Sequence, residues 1–244
     1  MASNRVKILA LIGGLLMGTG CQSGASPQVL QARWHNNQGV VYMDQHNYSR
    51  GRDEFNQAVG LDPRYATGYA NLGISYYSLG KYDSAMVALQ TALRQDGDHL
   101  NALYTQGLIY LAQGKEYDKA LQSFEKVSKH DSDDPLVQYY IGRSREKLGQ
   151  ADGAAAAFNQ AIRLDPNNVS AYYAMAQLLR QQGKQQEFQQ VLGTFNQLQQ
   201  AGHEGVSSSY QGQGKYAEAA TDAEGVVPDQ DDARISLAFA APQA

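Results

Sequence analysis

The sequence predicts an all-α fold, a solenoid of stacked antiparallel helix pairs. A 34-residue period is the first reason. Gly39, Gly73, Gly107 and Gly142 mark the same point of four successive units, at spacings of 34, 34 and 35 residues. The second reason is recurrence in register: large apolar or aromatic residues follow each glycine, and Ala returns further on. The third is the Asp-Pro step that closes two units, at Asp62-Pro63 and Asp165-Pro166. Proline there cannot continue the preceding helix and pre-sets the backbone of the next unit. A period of this length means that each unit is one hairpin, unable to bury its apolar face alone, so that neighbours stack. Such an array mainly makes surface. The first functional expectation is therefore a protein that holds other molecules.

The N-terminus stands outside the array. Arg5 and Lys7 precede the apolar run from Ile8 to Met17, and small residues follow up to Cys21, the only cysteine. That is the layout of a signal peptide over residues 1–20. Its apolar core is shorter than the roughly 20 residues of a membrane span. Cys21 directly after Gly18-Thr19-Gly20 resembles a bacterial lipobox, although Gly18 stands where a branched apolar residue is usual. The resemblance implies that the thiol takes a diacylglycerol, that the signal is cut before it, and that the new N-terminus is acylated. Two other readings stay open: an ordinary signal cut nearby, leaving a free thiol, or an uncleaved anchor. Asp after the cysteine would resemble the inner-membrane retention signal of Gram-negative lipoproteins; Gln22 stands there, and for a Gram-negative source the resemblance implies the periplasmic leaflet of the outer membrane. Residues 21–31 read as a lipidated tether, with Ser23 to Val29 small, polar and carrying one proline.

The chain carries a formal net charge of −4, and losing Arg5 and Lys7 makes the remainder more acidic, near −6. No basic run exists in it. Nucleic acid binding needs a concentrated positive footprint, so none is expected.

Unit by unit, the pattern is as follows. The first unit has Gly39, Tyr42, Tyr48, Gly51, Phe55 and Ala58. The second has Tyr69, Leu72, Gly73 and Tyr76 on one helix, a turn at Gly80-Lys81-Tyr82, then Ala85, Leu89 and Ala92 on the other. The third has Gly107, Tyr110, Tyr117, Ala120, Phe124 and Val127, with Glu116 as an extra residue in its hairpin. The fourth has Gly142, Gly149, Ala154, Phe158 and Ala161. The fifth starts with Ala171, Tyr172, Met175 and Ala176, then departs, with Phe188 and Phe195 where small residues belong. In each unit the small residue at the eighth place lets the paired helices approach, and the large ones fill the space beside it.

These residues resemble the tetratricopeptide repeat over positions 32–198. The resemblance implies a right-handed superhelical solenoid of five hairpins, ten helices in all. Residues 184–198 are expected to form the capping helix, with Phe188, Leu192 and Phe195 across the last open face. Residues 199–244 lack helical periodicity except near 215–222. They read either as a low-order tail with a short helix or as the start of a module missing from this chain. The apolar run from Ile235 has no sheet to join.

No constellation for chemistry emerges. The five histidines have no partner at metal-ligand spacing. Asp131 to Asp134 sits at an inter-repeat turn, where Asp and Ser cap helices. A calcium loop would need ligands over about 12 positions and a closing Glu. No catalysis, cofactor, metal or small-molecule substrate is expected.

In the family, the first helices line the concave face. Carried onto this chain, the inward places include Asn36, Val40 and Met43, then Asn71, Ile74 and Tyr77, then Tyr104, Leu108 and Leu111, then Tyr139, Tyr140, Arg143 and Glu146, then Tyr173, Gln177 and Arg180. Tyr77, Tyr104, Tyr139, Tyr140 and Tyr173 are expected to form an aromatic track with exposed hydroxyls, the kind of residue that anchors interfaces. Arg143 is expected to meet a partner's carboxylate. The competing account is that some of these tyrosines face the neighbouring repeat. The family's clamp for chaperone tails needs Lys and Asn at places five and nine of one unit, and neither the first nor the second unit has them. Asn71 matches the clamp's Asn at place six but stands alone. The expected function is a non-catalytic interaction scaffold or adaptor, lipid-anchored in the bacterial cell envelope, with protein partners in pilus, outer-membrane or murein assembly. The alternative is the interaction module of a larger protein whose downstream domain is absent.

Overall fold

A computed structural model describes residues 25–207 and 209–222. The signal-like segment and Cys21 lie outside the described residues, as does the apolar run from Ile235. The described chain holds ten α-helices. They are α1 (Pro27–Asp44), α2 (Tyr48–Leu61), α3 (Ala66–Ser78), α4 (Tyr82–Gln95), α5 (Leu100–Ala112), α6 (Tyr117–His130), α7 (Pro135–Lys147), α8 (Ala151–Leu164), α9 (Val169–Gln181) and α10 (Gln185–Gln200). Consecutive helices pair as five hairpins, and each second helix packs on the first helix of the next unit. Odd-numbered helices also touch across units, α1 with α3, α3 with α5 and α7 with α9. They form the inner layer. This is the fold the repeat predicts.

Local signals set the helix ends. Ser26 caps α1, its side chain accepting from the Val29 N–H, and Pro27 opens the helix. The helix therefore begins inside the stretch expected to be tether. Asp134 caps α7 by accepting from the Leu136 and Val137 N–H groups, with Pro135 behind it. Asn168 does the same for α9. The hairpin turns need a left-handed residue, supplied by glycine at 80, 114, 149 and 183. In the first hairpin His46 takes that conformation, at φ 58°. The inserted Glu116 is accommodated in the same way, at φ 53°.

The repeat glycines sit at tight crossings. A Cβ on Gly73 would lie 2.5 Å from Leu89, one on Gly107 2.7 Å from Phe124, and one on Gly142 2.5 Å from Phe158. Those partners, with Phe55, are fully buried. The hairpins are thus zipped by one glycine-on-large-residue contact per unit. α10 closes the array without any fully buried side chain. Phe188 packs on the core, and the Phe195 ring lies 5.5 Å from that of Tyr173.

After α10 the chain turns at Gly202 and returns across the inner layer. The stretch near 215–222, where a short helix is expected, forms only 3₁₀ turns at Tyr210–Gly212 and Lys215–Ala217, then runs extended. Its backbone groups are taken by side chains of the inner helices, so the i to i+4 ladder of a helix does not form. No described helix is long and apolar enough to cross a membrane.

Candidate functional site

The inner helices contribute amide, phenol and guanidinium groups to one face, and residues 203–207 and 209–222 lie on it as a strap. Val206 N–H donates to Ser170 Oγ on α9 (2.7 Å). Tyr210 is buried, its ring 5.9 Å from that of Tyr48. Its hydroxyl accepts from the Ala219 N–H, which folds the strap on itself. Gln213 bridges two units: Tyr77 OH donates to its Oε1 (2.7 Å) and Tyr104 OH to its carbonyl (2.6 Å). Gly214 follows at φ 102°, where a Cβ would stand 2.8 Å from the Tyr104 hydroxyl. Only glycine meets both demands.

From there the strap steps down the array. Lys215 Nζ bonds Asp131 Oδ2 (2.6 Å) and lies 3.5 Å from Asp134, while Tyr216 OH donates to the same Asp131 oxygen (2.8 Å). Asn101 Nδ2 on α5 donates to the Glu218 carbonyl (2.9 Å). Asn71 on α3 takes both backbone groups of one residue, donating to the Ala220 carbonyl (2.8 Å) and accepting from the Ala220 N–H (2.9 Å). Asn37 on α1 repeats this at Asp222 (3.2 and 2.9 Å). Asn36 adds a second donor to the Ala220 carbonyl (3.1 Å) and accepts from Asn71 (2.7 Å). Arg33 Nε lies 3.4 Å from the Asp222 carboxylate. Contacts at 218, 220 and 222 fall two residues apart, one per repeat, which is the period of an extended chain. An amide side chain carries one acceptor and two donors, so it can satisfy both groups of a residue in an extended strand.

Charge and burial follow the contacts. The hydrogen bond from Lys215, aided by Tyr216, holds the Asp131 carboxyl below the usual carboxylate range, and the same bond pushes Lys215 up. Burial pushes the Tyr77 phenol up to about 12 and raises Tyr104 as well. Both therefore remain donors. Burial, with Asp44 nearby, raises Glu218. A cavity of ≈ 200 Å³ remains between strap and hairpin ends, lined by Tyr48, Tyr77, Tyr82 and Tyr210 among others.

The expected inward residues divide into three sets. Asn36, Asn71, Tyr77 and Tyr104 meet the strap. The first two are 0% exposed and Tyr104 is 1% exposed, so the hydroxyls expected to stand free are taken. Met43 is fully buried and would lie 2.9 Å from a Cβ on Gly51, a core position. Tyr139 and Tyr140 are also buried. Tyr140 stacks on Phe124 (5.2 Å) and meets Tyr104 edge-on (5.6 Å), so it faces the neighbouring repeat, while the Tyr139 ring packs within its own hairpin, 6.1 Å from that of Phe158. Arg143 turns inward, donating to Tyr139 OH (3.0 Å) and pairing with Glu146 (3.1 Å). Tyr173 alone of the five tyrosines is well exposed, at 49%.

Among the contributors that escaped the sequence are Arg33, Asn37, Asn101, Asp131 and Ser170. For Asn37 a signal existed. It precedes Asn71 by 34 residues, one repeat, so Asn71 does not stand alone. Among the described residues no group of three or more His, Cys, Asp or Glu could hold a metal ion. What the groove offers is hydrogen bonding to a peptide backbone.

Family profiles described as tetratricopeptide repeat match residues 36–99, 71–135, 104–169 and 157–190. The chain belongs to the tetratricopeptide repeat family, whose members are typically non-catalytic protein-interaction scaffolds. Protein CTR9 homolog of Arabidopsis thaliana is 30% identical over 122 residues, 50% of this chain and 11% of that protein. TPR repeat-containing protein YpiA of Bacillus subtilis (strain 168) is 26% identical over 135 residues, 55% of this chain and 30% of that one. The chain thus spans a minor part of these relatives' length. Among solved structures, MamA from Desulfovibrio magneticus RS-1 superposes with a TM-score of 0.66 at 17% identity, over 71% of this chain and 98% of that chain. Pseudomonas aeruginosa pilF gives 0.63 at 22% identity, over 70% and 78%. At these identities the likeness is one of fold.

Proposed function

We infer that this tetratricopeptide repeat protein is a lipid-anchored scaffold of the bacterial cell envelope, whose inner groove binds a protein partner. The observation that carries the binding reading is the strap itself. An extended stretch of chain is gripped along the inner face through backbone hydrogen bonds from side chains one repeat apart. A face that does this for one segment has the chemistry to do it for another. The anchor reading rests on Arg5, Lys7, the apolar run and Cys21. Several acyl chains hold a protein far more firmly than one. Gln22 supports an outer-membrane address. The fold is shared with pilF of Pseudomonas aeruginosa, and on the anchor reading the partner is sought among pilus, outer-membrane and murein machineries.

Cells expressing the full chain test the anchor. The protein should enter the membrane fraction and incorporate labelled palmitate, and Cys21→Ser should abolish the label. Incorporation by the Ser variant, or wild-type protein recovered without label, would remove the lipid anchor from the account.

A further inference from the structure

We propose that the strap over residues 209–222 is an in-cis stand-in for the partner. On this reading the groove's natural ligand is an extended peptide of the same chemistry. That chemistry is a segment of small residues carrying a carboxylate side chain, preceded by an aromatic side chain, and it must displace the strap to bind. The inference rests on the groove being the binding face and specifies what that face accepts.

Four features carry it. First, the recognition is addressed to backbone. Asn37, Asn71 and Asn101 bond peptide groups of Asp222, Ala220 and Glu218, so any chain that runs extended satisfies them. Second, the strap's own residues are small where the groove is close: Gly214, Ala217, Ala219 and Ala220. A larger side chain at Gly214 would strike Tyr104 and Leu136. Third, charge fixes one position. Arg33 meets the Asp222 carboxylate, which sets the direction of the bound segment. Fourth, besides Gln213 the strap has two buried side chains, Tyr210 and Ala217, and no α-helix or sheet of its own, only two 3₁₀ turns. Val206, Tyr216 and Ala219 add partly buried apolar contacts, and the rest of the grip is polar exchange, which a competing backbone reproduces.

The magnitude is set by tethering. A segment joined by a short linker competes at an effective concentration of about 1 mM. If the free peptide binds the open groove at about 10–100 μM, the strap weakens apparent affinity by about 10–100-fold.

The probe is a fluorescent peptide with the sequence of residues 209–222, titrated by polarisation against the full chain in detergent. The comparison is with Tyr210→Ala plus Ala220→Pro, which weakens the strap and leaves every groove residue in place. Proline removes the N–H that Asn71 accepts. The variant should bind the peptide at least tenfold more tightly than wild type, and adding Asn71→Ala should remove the gain. A peptide ending in Lys instead of Asp should bind more weakly. Equal binding to both proteins, binding indifferent to Asn71→Ala, or no binding to the variant would overturn the proposal. Should the pair of changes unfold the chain, Asp222→Lys removes the carboxylate that meets Arg33 and should still raise affinity. A wild-type dimer that dissolves when the strap is altered would make a second copy the occupant and overturn the foreign-peptide reading. Failure here leaves the lipid anchor untouched, because that is read by palmitate labelling.

Discussion

Replacing Asn71 by Ala removes three hydrogen bonds from a side chain that is 0% exposed. Its amide donates to the Ala220 carbonyl and to Asn36 Oδ1, and accepts from the Ala220 N–H. In the variant the Ala220 carbonyl keeps its bond from Asn36 Nδ2. The Ala220 N–H and Asn36 Oδ1 lose theirs. Two buried polar groups without partners cost about 1–3 kcal/mol each, so about 2–6 kcal/mol if the strap stayed in place. The strap has an alternative. By leaving, it gives both groups to water, and the loss then saturates at its own free energy of attachment. The expected result is therefore selective. Amides of 215–222 should lose their protection from hydrogen exchange, while those of α5 to α8 keep theirs. The melting temperature should fall by no more than wild type falls when the strap is removed. Wild-type protection across 215–222 with unchanged melting would refute the reasoning, since the strap would then be held without the residue that grips it most.

Three further expectations follow from the same geometry. Gly107→Leu places a side chain where even a Cβ would lie 2.7 Å from Phe124, and overpacking of this kind typically costs about 1–3 kcal/mol. Thermal melting that matches wild type would place Gly107 outside the tight crossing. Tyr104→Phe deletes the donor to the Gln213 carbonyl while keeping the ring against Phe124 and Tyr140. It should cost about 0.5–1.5 kcal/mol and loosen the strap around Gln213, as read by local exchange rates. Acid should act on the strap in two opposed steps. The pKa of Glu218 is raised above its ordinary 4.5 by burial, so its penalty is relieved, and the strap tightens, as pH falls through that raised value. The pKa of Asp131 is lowered below 3.8 by Lys215 and Tyr216. Its contribution is full above 3.8 and is lost as pH falls through the lowered value. Exchange protection that simply decays from neutral pH downward would contradict this ordering.

The array was legible because packing repeats. A glycine facing a large residue every 34 positions leaves a period in the sequence, and Phe55, Leu89, Phe124 and Phe158 fall where that period puts them. The groove was legible only in part. Asn36, Asn71, Tyr77 and Tyr104 follow from repeat register. Register alone does not separate a tyrosine facing the groove from one packed on the next unit. Tyr140 is drawn inward by Phe124 and Tyr104, a choice made by neighbours 16 and 36 residues away. The strap left no periodic trace at all. Its conformation comes from partners 36 to 185 residues distant, such as Ser170 for Val206 and Asn37 for Asp222, and a segment whose hydrogen bonds are supplied from so far away looks unstructured in its own sequence. The spacing of Asn37 and Asn71 was the one trace of the groove's grip.

The central claim is that the inner groove is a binding site and that the strap occupies it in cis. Hydrogen exchange of the full chain with saturating peptide of residues 209–222 tests it most directly. Exchange at the chain's own residues 209–222 should accelerate as the peptide takes their place, while α1, α3 and α5 remain protected. Peptide bound with no change at the strap would put the site elsewhere and contradict the account.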